Sequence, residues 1–503
     1  MSFVNLGDLV DRTKDSGDTA LIDCLDWDQP RRFTHGEIDR RAQAVARGLL
    51  RHGLKRGESV AILSANRAEY LMSYLGVMRA GLVAVPVNHR LPHETIEFIL
   101  RDCEAQLVFC DSTTRPGIPA EVSAIEFGTG FEAFLDHGEF ESVVPAADEI
   151  AMVLYTSGST GRSKGVLLSH AGHLWAVHQR LRGGPHSHHR LLIAAPLFHM
   201  NALASAKFAL AAHASIVLLP RFDAIQYVES IGRFGCTWLT SVPTMLAMAL
   251  RETAALARTD LSTVKLVRMG SAPTTQRLFD AVRHTFPGAV VSNGYGTTEA
   301  GPVAFGPAAD GTPKPDLAFG WPQPGVEVRV LDASGRDAQE GVLLQRTPAV
   351  MKGYLNLPDE TRKVLTSDGW FVSGDVVRRD GAGAYWFVGR SDDMFVCGGE
   401  NIYPGEVEQM LEKHPAIAQA CVVPVPDEIR GQKPVAFVVA RAGSQLTEDL
   451  VKQYALQHAP AYQHPRQVIF VEKLPLAGTN KIDRRALKAL ALEHSRQHVQ
   501  ANA

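Results

Sequence analysis

The sequence predicts an α/β fold in which a large N-terminal domain contains doubly wound, mostly parallel sheets. The first observation is a strand–helix–strand pattern. The apolar runs Val60 to Ser64 and Leu82 to Val87 enclose a segment, Leu71 to Met78, whose apolar residues recur at helical spacing. The second is the length of 503 residues, which is enough for two or three domains with large cores. The third is a change of character near residue 325, which predicts a small β-rich subdomain and a separate C-terminal domain.

The remaining elements follow in chain order. Further apolar runs of strand length are Leu107 to Cys110, Ile216 to Leu219, Val264 to Val267 and Ala289 to Val291. Turns separate the strand-like Val326 to Leu331 and Tyr385 to Val388, so we predict the β-rich subdomain at about 326–390, within an N-terminal domain of residues 1–390. Past Arg390 we predict a helix over Glu406 to Lys413, strands over Ala420 to Val425 and Val435 to Arg441, and a helix over Glu448 to Gln457. This pattern predicts a small α+β C-terminal domain over 391–503.

Composition and charge exclude several classes of protein. Apolar residues make up 45% of the chain and charged residues 21%, with a net charge of −3 and no block of like charge, so we expect neither nucleic acid nor an anionic membrane as partner. The N-terminus lacks the pattern of a signal peptide, and Lys207 and His213 interrupt the most apolar window, Leu203 to Pro220. The six cysteines show no C-x-x-C spacing. They favour a cytoplasmic enzyme over a disulfide scaffold or a zinc site.

The segment Tyr155 to Gly165 is rich in hydroxyls and glycines and contains Lys164. It follows the strand-like Ala151 to Leu154, and such a loop can close its N–H groups around phosphate oxygens. It is not a Walker A loop, because Lys164 is followed by Gly165 rather than by a hydroxyl residue at the start of a helix. We therefore expect a triphosphate site in this loop, and a flexible surface loop is the alternative.

Five further segments accompany this loop. They are Pro196 to Asn201 (PLFHMN), Asn293 to Gly301 (NGYGTTEAG), Ser367 to Asp375 (SDGWFVSGD), Gly389 to Pro404 (GRSDDMFVCGGENIYP) and Leu474 to Arg485 (LPLAGTNKIDRR). Together, in this order, they resemble the core motifs of the adenylate-forming superfamily: acyl-CoA synthetases, adenylation domains of peptide synthetases and firefly-type luciferases. The resemblance extends from about residue 33 to 487 and is most like a free-standing acyl-CoA ligase.

The resemblance implies two steps and three small molecules. A carboxylic acid reacts with ATP and Mg²⁺ to give an acyl-adenylate, and CoA then displaces AMP. The implied catalytic residues are Lys481 and Thr298 at the α-phosphate, Glu299 as the Mg²⁺ ligand, and His199 near the substrate. Implied phosphate-loop residues are Thr156, Ser157, Gly158, Ser159, Thr160, Gly161 and Lys164. Gly270, Ser271, Ala272, Pro273, Asn293, Gly294, Tyr295, Gly296 and Thr297 are implied to line the nucleotide and acyl pocket.

The resemblance also implies that the C-terminal domain rotates. Asp375 and Arg390 are implied to bind the ribose, Asp392 to act as the hinge, and Gly398, Gly399 and Glu400 to line a tunnel for the thiol. Simpler interpretations stay open for single residues. Glu299 would then be a carboxylate at a helix N-terminus, Asp375 a turn residue, Arg390 a surface ion pair, Lys481 part of a basic turn and His199 a core residue.

The acid is less well defined by the sequence. Residues around Trp238 to Met245 and Ala272 are mostly small or apolar. No obvious cation stands ready for a second carboxylate, although Arg268 is near, so we favour a small to medium apolar or aromatic carboxylate. Segment 341–348 departs from the family pattern, so we doubt regular strand geometry there. Two alternatives remain: an enzyme that loads a carrier protein, and a luciferase-like or catalytically silent nucleotide binder. We expect no nucleic acid partner and no membrane insertion, and leave a homodimer open.

Overall fold

The computed structural model describes residues 3–157, 163–397, 400–427, 429–477 and 481–501, without the side chains of Ser157, Asn401 and residues 495–501. Strands and helices alternate up to Gly294. The strands are β1 (Thr19–Asp23), β2 (Arg31–Thr34), β3 (Ser59–Leu63), β4 (Val83–Pro86), β5 (Leu107–Cys110), β6 (Ser123–Glu126), β7 (Ile150–Ser157), β8 (Ser163–Ser169), β9 (Arg190–Ile193), β10 (Ser215–Leu218), β11 (Trp238–Ser241), β12 (Leu266–Gly270) and β13 (Val290–Gly294). The helices are α1 (His35–Arg51), α2 (Ala68–Arg79), α3 (His93–Asp102), α4 (Thr129–Phe134), α5 (His170–Leu181), α6 (Met200–Ala211), α7 (Ala224–Phe234), α8 (Pro243–Ala249), α9 (Thr253–Arg258) and α10 (Gln276–Thr285), with a 3₁₀ turn at Arg115–Gly117.

These strands form two large sheets. One has the order β13-β12-β11-β9-β10-β1-β2 and the other β6-β5-β3-β4-β7-β8. Neighbouring strands are parallel except in the pairs β1–β2 and β7–β8. Helix α2 is buried along its whole length, as expected for a helix packed on more than one side. The predicted fold of doubly wound, mostly parallel sheets is therefore confirmed.

A small antiparallel sheet follows. Its region contains β14 (Phe305–Gly306), β15 (Trp321–Pro322), β16 (Glu327–Leu331), β17 (Glu340–Arg346), α11 (Pro358–Val364), β18 (Phe371–Arg379) and β19 (Tyr385–Arg390), and the sheet has the order β16-β17-β18-β19. Strand β17 covers most of segment 341–348, where we had doubted strand geometry. A strand does form there: β17 pairs with β16 from Val342 to Arg346. Its pairing with β18 is irregular, with a register shift between Val342 and Leu344.

The C-terminal region has its own sheet and core. It contains β20 (Phe395–Cys397), β21 (Glu400–Ile402), α12 (Pro404–Glu412), β22 (Ile417–Asp427), β23 (Gly431–Ala440), α13 (Glu448–His458), β24 (Gln467–Phe470) and α14 (Arg484–Ala501). The strand order is β21-β20-β23-β22, with β24 beside β23. The inward residues of β22 and β23 alternate between two apolar clusters, so both faces of the sheet are covered. The boundary proposed at residue 390 lies between β19 and β20.

Two further features concern the whole described chain. The six cysteines are free and buried. In the part of the chain that the structure describes, no helix is both long and apolar enough to cross a bilayer.

Candidate active site

The predicted nucleotide residues lie at the carboxyl ends of two neighbouring parallel strands. Gly270 ends β12 and Gly294 ends β13, and the two glycines face each other in the register of the pair. A Cβ at Gly270 would lie 3.2 Å from the carbonyl oxygen of Gly294, so the two strand ends are close enough to favour glycine. The structure thus brings together Gly270, Ser271, Ala272, Pro273, Asn293, Gly294, Tyr295, Gly296 and Thr297. Ligands of open α/β sheets bind at this edge.

Tyr295 is a fixed aromatic wall of this cleft. Its ring stacks on Phe319, with centroids 4.4 Å apart and planes inclined by 29°, and meets Phe305 edge-on. Its hydroxyl donates a hydrogen bond to Oδ2 of Asp375. Burial raises the pKa of Tyr295, and the charge of Asp375 raises it further, so the hydroxyl stays protonated. The ring is therefore held in one orientation, as a platform for a flat base requires.

Asn293 offers an acceptor beside that wall. Its Nδ2 donates to the carbonyl oxygen of Leu317 at 2.9 Å, whereas its Oδ1 is buried and has no partner among the described residues. Buried polar atoms are almost always paired in native proteins. The free amide oxygen is suited to a donor such as the amino group of adenine.

Asp375 and Arg390 form the opposite side of the cleft. They face each other in the β18–β19 pair, and Nη1 of Arg390 donates to Oδ1 of Asp375 at 2.9 Å. Burial raises the pKa of Asp375, and Arg390 opposes that shift. The idea that Asp375 closes a turn is wrong, because β18 continues through it to Arg379; Gly374, with φ of 70°, produces the local irregularity.

Glu299 lies in a turn between Thr297 and Gly301. The hydroxyl of Tyr354 donates to its Oε1 at 3.2 Å, and burial raises the pKa of Glu299. The alternative of a helix N-terminal carboxylate is wrong, because no helix of the described chain begins there. In the described part of the chain no cluster of three or more His, Cys, Asp or Glu side chains could hold a metal. One carboxylate beside phosphate oxygens is nevertheless the usual protein contribution to a Mg²⁺ site, so Glu299 fits that ion.

Tyr354 contacts both Lys164 and Glu299. The Lys164 ammonium lies over the Tyr354 ring, whose hydroxyl binds Glu299. Nζ of Lys164 lies 2.6 Å from Oε2 of Glu360 and 5.2 Å from the ring centroid of Tyr354. Thr156 faces Lys164 in the β7–β8 pair. The side chain of Ser157 and the predicted residues Gly158, Ser159, Thr160 and Gly161 lie outside the described residues.

Lys481 reaches the same cleft from the C-terminal domain. Desolvation lowers the pKa of Lys481, and the charge of Arg390 lowers it further. The carboxylates of Asp375 and Glu299 raise it. All three side chains are therefore within electrostatic range of the lysine. Burial lowers the pKa of His199 to about 4, and Lys481 contributes to that shift. The Nε2 atom of His199 is buried without a described partner. Lys481 is therefore within electrostatic range of both the nucleotide residues and His199, and the residue itself is exposed. Thr298 lies in the turn beside Glu299.

Direct contacts hold the two domains in this arrangement. Nη1 of Arg277, in α10, donates to the carbonyl oxygen of Ile417 at 2.5 Å, and Nη2 of Arg251 donates to Oε1 of Gln419 at 3.4 Å. At the connection between the domains, Oδ2 of Asp392 accepts from Nη2 of Arg390 at 2.8 Å.

The predicted tunnel residues are not brought to the cleft by any contact described. Glu400 is exposed and pairs with Cys397 in the β20–β21 hairpin. Gly398 and Gly399 lie outside the described residues.

Sequence reasoning missed several residues around the site. Tyr354 follows no predicted motif, yet it binds Glu299. Lys314 donates to Oγ of Ser292 at 3.0 Å and to the carbonyl oxygen of Asn293. Neither Tyr354 nor Lys314 lies in a segment whose pattern predicts a site residue. Lys207 does interrupt an apolar window, Leu203 to Pro220, but from the sequence it served only as evidence against a membrane span.

Comparison with known proteins decides the family. Residues 10–355 match the AMP-binding enzyme family, and residues 406–481 match the AMP-binding enzyme C-terminal domain. The chain belongs to the AMP-binding enzyme family. The resemblance to the adenylate-forming superfamily is thereby confirmed.

Curated relatives that are similar to this chain over most of its length include CoA ligases. A 4-coumarate–CoA ligase 5 of Oryza sativa subsp. japonica is 33% identical over 510 residues, covering 95% of this chain and 93% of the relative. A 4-coumarate–CoA ligase 1 of Petroselinum crispum is 31% identical, covering 91% and 89%. The predicted reaction class, ATP-dependent ligation of a carboxylic acid to CoA, is confirmed.

Solved structures support the same fold and co-substrates. The anthranilate CoA ligase AuaEII in complex with anthranoyl-AMP has a TM-score of 0.89 and 26% identity, covering 99% of both chains. The o-succinylbenzoate CoA synthetase MenE of Bacillus subtilis, in complex with ATP and a magnesium ion, has a TM-score of 0.80 and 27% identity, covering 95% of this chain and 98% of that one. ATP, Mg²⁺ and CoA are thus confirmed as the small molecules that this family member uses.

Proposed function

We propose that this AMP-binding family member is an AMP-forming acid–CoA ligase that uses two arrangements of its domains. The observation that carries the proposal is that Lys481 of the C-terminal domain lies within electrostatic range of Asp375, Glu299 and His199. A cation delivered by a second domain to a cleft with two carboxylates is suited to a reaction between anions.

In the first step a carboxylate oxygen of the acid attacks the α-phosphorus of ATP, and the bond to pyrophosphate breaks. Both reactants are anionic, so the developing charge needs positive partners held in place. Lys481 supplies one between the acid and the α-phosphate, and Thr298 donates to the same phosphate. Asp375 and Arg390 hold the ribose, and Tyr295 with Asn293 holds the adenine. Mg²⁺, held by Glu299, would offset the charge of the phosphates.

His199 acts in this scheme as a neutral group. Because burial lowers its pKa to about 4, its imidazole carries no charge at neutral pH. A neutral ring beside the acid leaves Lys481 as the cation at the reacting carboxylate. Its buried Nε2, which has no described partner, remains available to the substrate.

In the second step the thiol sulfur of CoA attacks the acyl carbon, and the bond to AMP breaks. Lys481 must leave the α-phosphate to admit the thiol. We propose that the C-terminal domain turns at Asp392, a position between two sheets at the end of β19, where a hinge can absorb a backbone change. The contact between Arg390 and Asp392 links the ribose site to that hinge. Gly398, Gly399 and Glu400 would then line the path of the thiol.

The acid is proposed to be small to medium in size with an apolar or aromatic skeleton. The relatives named above act on 4-coumarate, anthranilate and o-succinylbenzoate, which are aromatic acids. Trp238 begins β11, at the edge of the sheet opposite the cleft, and packs on Phe208. Val242 and Met245 follow the carboxyl end of β11 and are buried in the main apolar core. These side chains provide an apolar floor for such a skeleton. We propose a cytoplasmic location from the free, buried cysteines.

Replacement of Lys481 by Ala tests the mechanism. We expect acid-dependent exchange between pyrophosphate and ATP to fall by about 10²-fold or more, because one preorganised donor at the developing charge is lost. Thioester formation from presynthesised acyl-adenylate should persist, since the thiol step does not use this lysine. Lys488→Ala removes an exposed lysine of the same domain and is the matched control. Exchange at the wild-type rate in Lys481→Ala would contradict the assignment.

A second assay separates the acceptors. AMP release is measured with CoA and, in parallel, with a phosphopantetheinylated carrier protein. Faster release with CoA supports the ligase, and release only with the carrier protein supports the carrier-loading alternative. Release with neither acceptor, in the presence of pyrophosphate exchange, would leave a luciferase-like activity.

A further inference from the structure

Two cationic side chains line one cavity near the predicted acyl pocket, a third lies within electrostatic range of one of them, and none of the three has an anionic partner among the described residues. They are Arg180 in α5, Lys207 in α6 and Arg268 in β12. Burial lowers the pKa of Arg180, and the charge of Arg268 lowers it further. Burial and the charge of Arg180 likewise lower the pKa of Lys207. Arg180 is therefore within electrostatic range of both Arg268 and Lys207. Among the described residues, no carboxylate forms an ion pair or a hydrogen bond with any of the three.

Lys207 is buried, whereas Arg180 and Arg268 are partly exposed. Lys207 is only 2% exposed, and its Nζ has one neighbour, Nδ1 of His173 at 3.5 Å. Nε of Arg180 and Nε2 of His173 are buried and lack partners in the described chain. Burial lowers the pKa of Lys207 to about 7, but an arginine stays charged in proteins. The two arginines keep their charge in a partly buried site without an anionic partner among the described residues, so this arrangement is poised to receive an anion.

The position of the cluster connects it to the substrate. A small cavity between α5 and α6 is lined by His173, Ala176, Val177, Arg180, Ala204, Lys207 and Pro302. Pro302 directly follows the nucleotide motif, and Gly296 of that motif has no room for a Cβ, which would lie 2.8 Å from Cα of Pro302. The cavity is therefore separated from the nucleotide cleft by one turn of backbone.

Arg268 lies against the end of the neighbouring strand β13, on the cleft side of the cluster. It precedes Gly270 by two residues in β12, so the two share one face of the sheet about 7 Å apart. Its guanidinium lies over Gly294, where a Cβ would be 2.8 Å from Nε and 3.0 Å from Nη2. Gly270 and Gly294 are the strand ends that face the reacting groups. From the sequence we expected no cation ready for a second carboxylate, although Arg268 is near, and we had not considered Arg180 and Lys207.

We infer that the acyl pocket binds a second carboxylate, so that the substrate is a dicarboxylic acid with one end activated at Lys481 and the other held by Arg180, Lys207 and Arg268. This inference rests on the proposed ligase function. The forked guanidinium groups match the two oxygens of a carboxylate. The carbon skeleton between the two acid groups can be aromatic or aliphatic, as the apolar floor allows.

Neighbouring charges do not account for the cluster. Lys314 also lies near Arg268, but it already donates to Ser292 and Asn293. The phosphates of ATP are assigned to the hairpin that carries Thr156 and Lys164, on a different sheet. Loss of the cations should therefore change the selection of the acid and leave the KM for ATP unchanged.

Matched pairs of acids test the inference. AMP release with CoA is measured for hexanoate against hexanedioate, benzoate against benzene-1,4-dicarboxylate, and 3-phenylpropanoate against 4-(2-carboxyethyl)benzoate. We expect the wild type to prefer the diacid in at least one pair by about 10²-fold in kcat/KM, because a site built for a polar group discriminates strongly against its absence. Arg268→Met, Arg180→Met and Lys207→Met should each remove that preference, mainly through KM, with the monoacid unchanged or improved. Arg336→Met, at an exposed turn, is the control and should retain the preference.

Thermal unfolding keeps the test independent of catalysis. The sodium salt of the preferred diacid should raise the Tm of the wild type and not that of Arg268→Met, while Lys207→Met alone should raise the Tm because a buried unpaired charge is removed. Preference for the monoacid in every pair, or variants that weaken both acids equally, would overturn the inference. Equal stabilisation by inorganic phosphate without diacid selectivity would also overturn it. If neither class of acid releases AMP, the ligase proposal itself fails.

Discussion

Asp375 lies directly opposite Arg390 in the β18–β19 ladder, and Nη1 of the arginine donates a 2.9 Å hydrogen bond to Oδ1 of the aspartate. The other nitrogen of the same guanidinium donates to Asp392 at 2.8 Å. One arginine therefore fixes a carboxylate of the nucleotide cleft and also contacts the proposed hinge. Because Asp375 and Asp392 contact different nitrogens of Arg390, substitutions at the two aspartates test the cleft and the hinge separately.

Asp375→Asn tests the ribose site. The amide keeps the shape of the side chain but cannot accept charge-assisted hydrogen bonds from two hydroxyls, so we expect the KM for ATP to rise by about 10- to 100-fold. The KM for the acid should change little. Pyrophosphate exchange at varied ATP concentration measures the effect. Tyr295→Phe, which removes one donor to Asp375 and keeps the ring, should give a smaller change; an unaltered KM for ATP in Asp375→Asn would refute the assignment.

Glu299→Gln tests the proposed Mg²⁺ ligand. A neutral amide is a poorer ligand for a hard divalent cation, so more Mg²⁺ should be needed for half-maximal exchange and the maximal rate should fall by about 10²-fold. Tyr354→Phe removes only the 3.2 Å hydrogen bond to Glu299 and should shift the Mg²⁺ requirement less. Titration of exchange activity with MgCl₂ provides the measurement. Identical Mg²⁺ curves for Glu299→Gln and the wild type would exclude Glu299 as the ligand.

Asp392→Pro tests the hinge. Among the described residues, the backbone N–H of Asp392 donates no hydrogen bond to another backbone group. Replacing Asp392 by proline therefore removes no backbone hydrogen bond from this structure. Proline fixes φ, and its ring restricts the preceding residue, which should oppose a rotation at this point. We expect adenylate formation within a few-fold of the wild type and thioester formation reduced by about 10²-fold. Asp392→Ala, which loses the contact with Arg390 but keeps backbone freedom, should retain both steps; equal thioester rates in Asp392→Pro and Asp392→Ala would argue against the hinge.

The strands of the large domain were predictable because parallel strands are buried on both faces. Such strands appear as continuous apolar runs, and the run Leu107 to Cys110 coincides with β5. Strand ends that carry chemistry were harder to place. Strand β12, Leu266–Gly270, continues past the predicted end at Val267, because the polar Arg268 and the terminal Gly270 interrupt the apolar pattern there.

The candidate site was predictable only where residues are contiguous in a motif. Tyr295 and Glu299 share one loop, so the family resemblance located both. Lys481 and His199 belong to different domains, and Lys481 comes within electrostatic range of His199 only when the domains pack together. No local sequence pattern predicts that packing. Arg180 and Lys207 lie on separate helices that become neighbours only when α5 packs on α6. Their shared environment, with no carboxylate nearby, could not be read from spacing along the chain.

Lys207 gives the proposed diacid site a pH dependence. Burial and Arg180 lower its pKa to about 7 in the free protein, with His173 and Arg180 of α5 as the groups that face it. A bound carboxylate favours the charged lysine, so the pKa of Lys207 must be higher in the complex than in the free enzyme. Above pH 7 the free enzyme has lost this proton, and binding of the diacid must then take one up.

The selectivity for diacid over monoacid, expressed as the ratio of their kcat/KM values, should therefore be constant below pH 7 and fall between pH 7 and 9. The decline approaches tenfold per pH unit until the pKa of the complex is reached. Titrations that change kcat/KM equally for both acids, such as those of ATP or CoA, cancel in this ratio. In Lys207→Met the ratio should be lower and independent of pH, because Arg180 and Arg268 stay charged throughout this range. A wild-type ratio that is flat from pH 6 to 9, or that rises, would mean that Lys207 does not bind the second carboxylate.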